Sequence, residues 1–188
     1  NKLNNEEILV MHSSLKKNTQ IKIVNPDTSK FIETKIFTTN YNDIKVFKMF
    51  QRLGRTYKSK KISLSKNRDE KWIGTRGYPY SEEATNKFLD KFLNLKSTII
   101  LDAVTEALKK KIERYTSNPL YSITIEEKKG EELQYQISTL IGSLPGIKME
   151  KGQYFIIKAS NRRFPFLVHK DSFSIFSIRE NQLQKGRI

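Results

Sequence analysis

The sequence predicts an α+β domain in which mostly antiparallel strands flank a central amphipathic helical segment, with a barrel-like N-terminal part as an option. Three observations carry this. The middle of the chain holds an apolar stripe at helical spacing, Phe88, Phe92 and Leu95, resuming as Leu101, Val104, Leu108, Ile112 and Tyr115. On both sides of it, short β-branched and aromatic runs are broken by turn residues such as Asn25-Pro26-Asp27 and Pro145-Gly146. The 188 residues are 37% hydrophobic and 11% aromatic, enough to bury a core in one domain, 1–188. A subdivision at residue 80 would separate a basic β-rich part, 1–80, from a helix and C-terminal sheet, 81–188.

In chain order, Ile8–Met11, Gln20–Val24 and Phe31–Thr38 read as strands. Asn42–Leu53 reads as a short helix, because Ile44, Phe47 and Leu53 with Val46 and Phe50 form a stripe and Gly54 offers an end. Lys45, Lys48 and Arg52 would then share one helix face. Arg55–Ser65 reads as an extended basic strand or hairpin arm, and Gly74–Pro79 as a loop. Ser81 suits an N-cap, with Glu82 and Glu83 in the first helical turn. A break near Lys96–Thr98 offers a division into two helices, and Asn118-Pro119 closes the second. Leu120–Glu127 reads as a strand and Glu131–Leu144 as a helix. Ile147–Met149, Gln153–Ala159, Phe164–Lys170 and Phe173–Ile178 read as strands, and Arg179–Ile188 as a frayed polar tail.

Charge narrows the function classes. Lys and Arg number 35 against 20 Asp and Glu, a formal net charge of +15. Residues 1–80 hold 17 basic and 7 acidic side chains, whereas 81–130 hold 9 and 8. Within Lys45–Arg76 alone there are 11 basic residues against Asp69 and Glu70, so the excess is focal, where compositional drift would spread it evenly. Focal Lys and Arg raise local potential and bind phosphates through counterion release. Tyr57, Trp72, Tyr78 and Tyr80 are interleaved with them, and aromatic rings stack on unpaired bases. The competing reading makes Trp72 a core anchor and the lysines a solvated face. Asn161-Arg162-Arg163 reads as a hairpin tip with two arginines, a second place for phosphate contacts.

Zero cysteines exclude disulfides, thiolate catalysis and Cys-ligated zinc, and two histidines, His12 and His169, leave little for a His-based metal site. No apolar run reaches the length of a membrane span. Asn1–Glu7 lacks the layout of a secretory leader, so a cytoplasmic location is the expectation. Neither a phosphate-cradling Gly-rich loop nor a His-Glu-x-x-His helix occurs.

Two local likenesses bear on function. Leu15–Asn25 resembles part of the double-psi barrel of cell-wall lytic transglycosylases, but the Asp-Arg-Gly-Pro segment of that family is absent, so its activity is not carried over. Ile123-Thr124-Ile125-Glu126-Glu127-Lys128, followed by Gln134 and Gln136, resembles the second half of the catalytic motif of restriction-endonuclease-like nucleases. That resemblance implies Glu126 as a ligand to a divalent metal such as magnesium and Lys128 as the group activating the attacking water. The acidic residue that the family carries on the preceding strand is missing, since Pro119 is followed by Leu120.

The leading expectation is a nucleic-acid-binding module without cofactor, double-stranded DNA preferred over RNA, although Tyr57 and Trp72 would suit single strands. Its surface would comprise Lys45, Lys48, Arg52, Arg55, Tyr57, Lys58, Lys60, Lys61, Lys66, Arg68, Trp72, Arg76 and Tyr78, with Arg162 and Arg163 as a second contact. The alternative is the metal-dependent nuclease built on Glu126 and Lys128. A basic surface meeting anionic lipid or an acidic protein ranks third.

Overall fold

The computed structural model describes residues 34–54, 57–75, 77–102 and 105–184, except the side chains of Tyr57 and Lys58, all within the unit Thr34–Ile188. The expected strands Ile8–Met11 and Gln20–Val24, together with Arg55 and Arg76, lie outside the described residues.

Among the described residues, eight strands form one antiparallel sheet: β1 (Ile44–Leu53), β2 (Tyr57–Lys66), β3 (Trp72–Ile73), β4 (Ile99–Ile100), β5 (Tyr121–Glu127), β6 (Glu132–Ile137), β7 (Tyr154–Ala159) and β8 (Phe166–His169). Their spatial order is β3-β2-β1-β5-β6-β7-β8-β4, so β3 and β4 are edges and the sheet is not closed into a barrel. Between β3 and β5 come helices α1 (Glu82–Leu93) and α2 (Glu106–Thr116). The α+β class expected from the sequence is thus the observed one, and the barrel-like option is not.

Strand alternation decides what each face does. On the inner face β1 places Phe47 and Met49, β5 Ile123 and Ile125, β6 Tyr135 and Ile137, and β7 Phe155 and Ile157, all essentially buried. Helix α1 lies on this face. Ser81 caps it by accepting from Ala84 N at 3.3 Å, and Phe88 and Phe92 pack edge-on against Phe47 at ring distances of 5.6 and 5.1 Å. A 3-10 helix, Lys170–Ser177, completes the layer, with Phe176 against Phe92, Tyr121 and Phe155.

Toward the other end of the sheet the alternate residues are buried too. Ile156 and Leu167 point away from α1, and they cluster with Leu108 and Ile112 of α2 and with Leu101, Ile141 and Leu144. The helical segment that reads as one stripe therefore splits across the sheet, α1 on one face and α2 on the other. Strand β4 falls in the break between them.

Several readings of the sequence are corrected. The described part of the expected strand Phe31–Thr38 forms only a bridge from Lys35 to Lys96. Asn42–Leu53 is not a helix but a 3-10 turn, Tyr41–Asp43, followed by β1. Glu131–Leu144 contains strand β6 where a helix was expected, Ile147–Met149 forms no strand beyond the bridge from Leu144 to Ile147, and Phe173–Ile178 is 3-10 helical. The periodicity of short apolar runs fits both states, and pairing to neighbouring strands settled the matter for β1 and β6. The tail is not frayed as far as Gln184. Leu183 is buried, its carbonyl accepts from Ser81 N at 2.8 Å, and Glu180 accepts from the Tyr80 hydroxyl.

Burial makes this core sensitive to alkali. Burial pushes the Tyr135 phenol up to about 12, and burial with Glu180 beside it raises Tyr80 further. Both folded values exceed the unfolded value near 10, so the unfolded chain releases these protons first as pH rises. Stability from Tyr135 is then whole below about pH 10 and falls between about 10 and 12, with a slope of about 1.4 kcal/mol per pH unit. Urea midpoints measured against pH should show a shallower alkaline decline in Tyr135→Phe; an identical decline would refute this origin.

Candidate functional site

Among the described residues, the outer face of β2, β1, β5 and β6 carries no helix-packed apolar cluster, unlike the β7–β8 end. The register aligns its rows across strands. Val46 lies opposite Ser65 and Glu126, Lys48 opposite Ser63 and Thr124, and Phe50 opposite Lys60 and Ser122. The next strands extend the rows with Glu132, Gln134 and Gln136, and Gln136 faces Lys158 on β7. This surface is of hydroxyls, carboxamides and lysines, with Glu126 and Glu132 in the row at one end and Phe50 half-buried at the other.

Two irregularities shape it. A shift in the pairing of β1 with β5 between Ile44 and Val46 leaves Lys45 extra, and its Nζ meets Glu126 Oε1 at 2.7 Å. A second shift, between Met49 and Phe50 against β2, leaves Lys61 extra. Lys61 donates to Gln51 Oε1 at 3.2 Å and sits 5.4 Å over the Tyr121 ring; burial, with Arg179 nearby, lowers its pKa.

The basic residues singled out in the sequence therefore divide. Lys48 and Lys60 are exposed on the outer face, and like Lys158 they make no ion pair among the described residues. Arg68 is exposed in the turn between β2 and β3, Tyr78 is 59% exposed beyond β3, and Arg163 is exposed with its guanidinium over Phe164. Tyr57 and Lys58 belong to β2, with Lys58 paired to Arg52 in the register.

Others are engaged by partners within the protein. Trp72 is 1% exposed and donates from Nε1 to the Tyr41 hydroxyl at 2.7 Å, so it is a core anchor with no face for a base. Lys66 is buried to 8% side-chain exposure, lies 5.1 Å over the Trp72 ring and 3.4 Å from Glu70. Arg52 donates to Pro119 O at 3.2 Å and Gly54 O at 2.8 Å, pinning two chain segments. Arg162 does not project from a hairpin tip. It is half-buried, donates to Lys35 O at 2.7 Å and stacks over Phe166. Lys45 is neutralised by Glu126. The helix face expected to unite Lys45, Lys48 and Arg52 does not exist, because β1 is a strand.

The Gly74–Gly77 loop is a turn with its own use for glycine. A Cβ on Gly74 would overlap the Tyr80 ring and hydroxyl, and Gly77 has φ +74°. Gly74 N donates to Tyr78 O at 2.8 Å and Gly77 N to Gly74 O at 3.0 Å, so these N–H groups are spent within the turn and not offered to phosphate.

The nuclease-like segment folds differently from its resemblance. Glu126 and Glu127 point to opposite faces of β5, Glu126 toward Lys45 and the buried Glu127 toward Lys129 at 3.0 Å. Lys128 pairs with Glu70 at 2.6 Å, which with Lys66 holds the Glu70 carboxyl below the usual carboxylate range. Gln134 and Gln136 stand on strand β6 and not on a helix. Among the described residues no three His, Cys, Asp or Glu side chains gather as a metal site.

Lys158 and Phe50 are members of the outer face that sequence reading missed, as are Val46, Ser63, Ser65 and Ser122. On β1 the signal was two-residue spacing: Val46, Lys48, Phe50 and Arg52 alternate once β1 is read as a strand. No helix among the described residues is long and apolar enough to cross a membrane. In comparison with known protein families, curated proteins and solved structures, the chain matches none.

Proposed function

We propose that this chain binds single-stranded nucleic acid across the outer face of β2, β1, β5 and β6. The observation that carries the reading is the face itself, where Lys48, Lys60 and Lys158 make no ion pair among the described residues and stand amid hydroxyl and carboxamide side chains, the carboxylates Glu126 and Glu132 being confined to one end row. Such a surface offers cations to phosphates and neutral donors and acceptors to sugars and base edges. Phe50, between Lys60 and Ser122, supplies an apolar ring at its centre.

Width selects the single strand over the duplex. Four strands at about 4.8 Å spacing span roughly 14 Å between outer axes, before side chains are added. The major groove of a duplex is about 12 Å wide and admits a helix or a two-stranded ribbon. A four-stranded face is too broad to enter it, but a single strand lies flat across such a face with bases toward the ring.

Fluorescence anisotropy with a labelled single strand of DNA, its RNA counterpart and the matching duplex, each at low and moderate salt, tests this. Tighter binding to the single strands, weakening steeply with salt, is expected. Equal binding to duplex, or affinity independent of salt, would overturn the reading.

A further inference from the structure

The outer face is not uniform in charge, and the pairing register divides it into rows that cross the strands. The first row, Lys60, Phe50, Ser122, Gln136 and Lys158, runs through β2, β1, β5, β6 and β7 in spatial order. It has an exposed lysine at each end, the Phe50 ring beside Lys60, and no carboxylate. The second row, Ser63, Lys48, Thr124 and Gln134, continues to Ser160, whose hydroxyl accepts from Gln134 N at 3.0 Å; it holds one lysine. In the third, Ser65, Val46, Glu126 and Glu132 follow one another, and Lys45 answers only one of the two carboxylates. On the other side of the first row stands Arg52, held by carbonyls but still charged. Charge on this face therefore falls in one direction, from cations to a net negative row.

This gradient gives a bound polyanion a direction. Laid along β5 or β6, a phosphate backbone meets no lysine of the face and ends on Glu126 or Glu132. Laid along β1, it passes Lys48 and runs onto the Lys45–Glu126 pair. Laid along the first row, it meets a lysine at both ends and no carboxylate. Residues on one face of a strand recur about every 7 Å, so the carboxylate row lies about 14 Å from the first. That exceeds the screening length of about 8 Å at physiological ionic strength, so only the crossing path escapes repulsion by Glu126 and Glu132.

Resting on the nucleic-acid reading above, we infer that the bound strand crosses the sheet at right angles to the β-strands, along the row from Lys60 to Lys158, and that the ligand is an oligonucleotide long enough to engage both lysines. Phe50 takes a base next to the Lys60 end, and the Gln136 carboxamide meets a base edge or sugar next to Lys158. Four strand spacings separate the two lysines, about 19 Å. Phosphates follow one another at about 3.4 Å along a stacked strand, so about six nucleotides cover the row. A dinucleotide reaches one end only.

The test is a titration of the ¹⁵N-labelled chain at low salt with oligodeoxythymidylates of two, four, six and eight nucleotides. Affinity is expected to rise about tenfold or more from two to six nucleotides and little from six to eight. Lys60→Ala and Lys158→Ala should each weaken the hexamer about threefold or more. Each should weaken the dinucleotide by about twofold at most, because the lysine at the other end still serves it. Glu126→Gln should change hexamer affinity by less than about twofold, its charge being screened from the path. Failure to bind any oligomer would overturn the nucleic-acid reading and the path with it. Binding that does not strengthen between two and six nucleotides, loss of dinucleotide binding in either single variant, or a gain beyond twofold in Glu126→Gln would overturn the path alone.

Discussion

Replacing Phe92 by alanine is expected to destabilise the protein by about 3–5 kcal/mol, the range for a large aromatic removed from a packed core. Phe92 is fully buried at the junction of three layers. Its ring centroid is 4.1 Å from Phe37, 5.1 Å from Phe47 and 6.0 Å from both Phe88 and Phe176. Truncation therefore opens a void bordered by the segment before β1, the sheet, α1 and the C-terminal 3-10 helix, and these cannot all collapse into it at once. Because domains are stable by only about 5–15 kcal/mol, such a loss is a large share of the total. Phe50→Ala is the control. Phe50 is on β1 as Phe47 is, but on the outer face and only half-buried, so about 1 kcal/mol is expected. Urea denaturation of both variants decides the matter. If Phe92→Ala cost no more than Phe50→Ala, the assignment of inner and outer faces would be wrong.

The triple variant Lys48→Ala, Lys60→Ala, Lys158→Ala should flatten the salt dependence of single-strand binding by about two units of log K against log salt, since each phosphate that a lysine neutralises contributes about 0.7. At low salt the affinity should fall at least about tenfold, because each lysine removed forgoes the release of a condensed counterion. Thermal stability should be nearly unchanged, since none of the three holds an ion pair among the described residues. Lys87→Ala, Lys91→Ala is the control: these two exposed lysines stand on α1, which packs on the opposite face of the sheet. A slope unchanged in the triple variant, or lowered equally in the control, would exclude the outer face as the binding surface.

The candidate surface was legible as a region and not as a face. The sequence window Lys45–Arg76 does contain Lys48 and Lys60, but also Trp72 and Lys66, which are buried against each other, and Arg52, which holds two backbone carbonyls. A linear count of charge has no access to the pleat, which sends neighbouring residues to opposite sides of the sheet, nor to the two pairing shifts that single out Lys45 and Lys61. Arg162 shows the same limit in a loop. Its neighbour Arg163 is exposed, while its own guanidinium reaches Lys35, far away in sequence.

The sequence by itself determined what local chemistry controls. It placed the Ser81 cap and the α1 stripe, the second helix with its end before Asn118-Pro119, strands β2, β5, β7 and β8, and the α+β class. Capping groups, proline and short runs of β-branched and aromatic residues bounded by turn residues act over a few positions, so a short window contains their whole cause. Only the tertiary structure decided that β1 and β6 are strands, that α1 and α2 lie on opposite faces, and which lysines remain free. In each case the deciding partner is distant in the chain. Ile44–Leu53 carries apolar residues that satisfy helical and extended spacing alike, and it is a strand because β2 and β5 take up its hydrogen bonds on both sides.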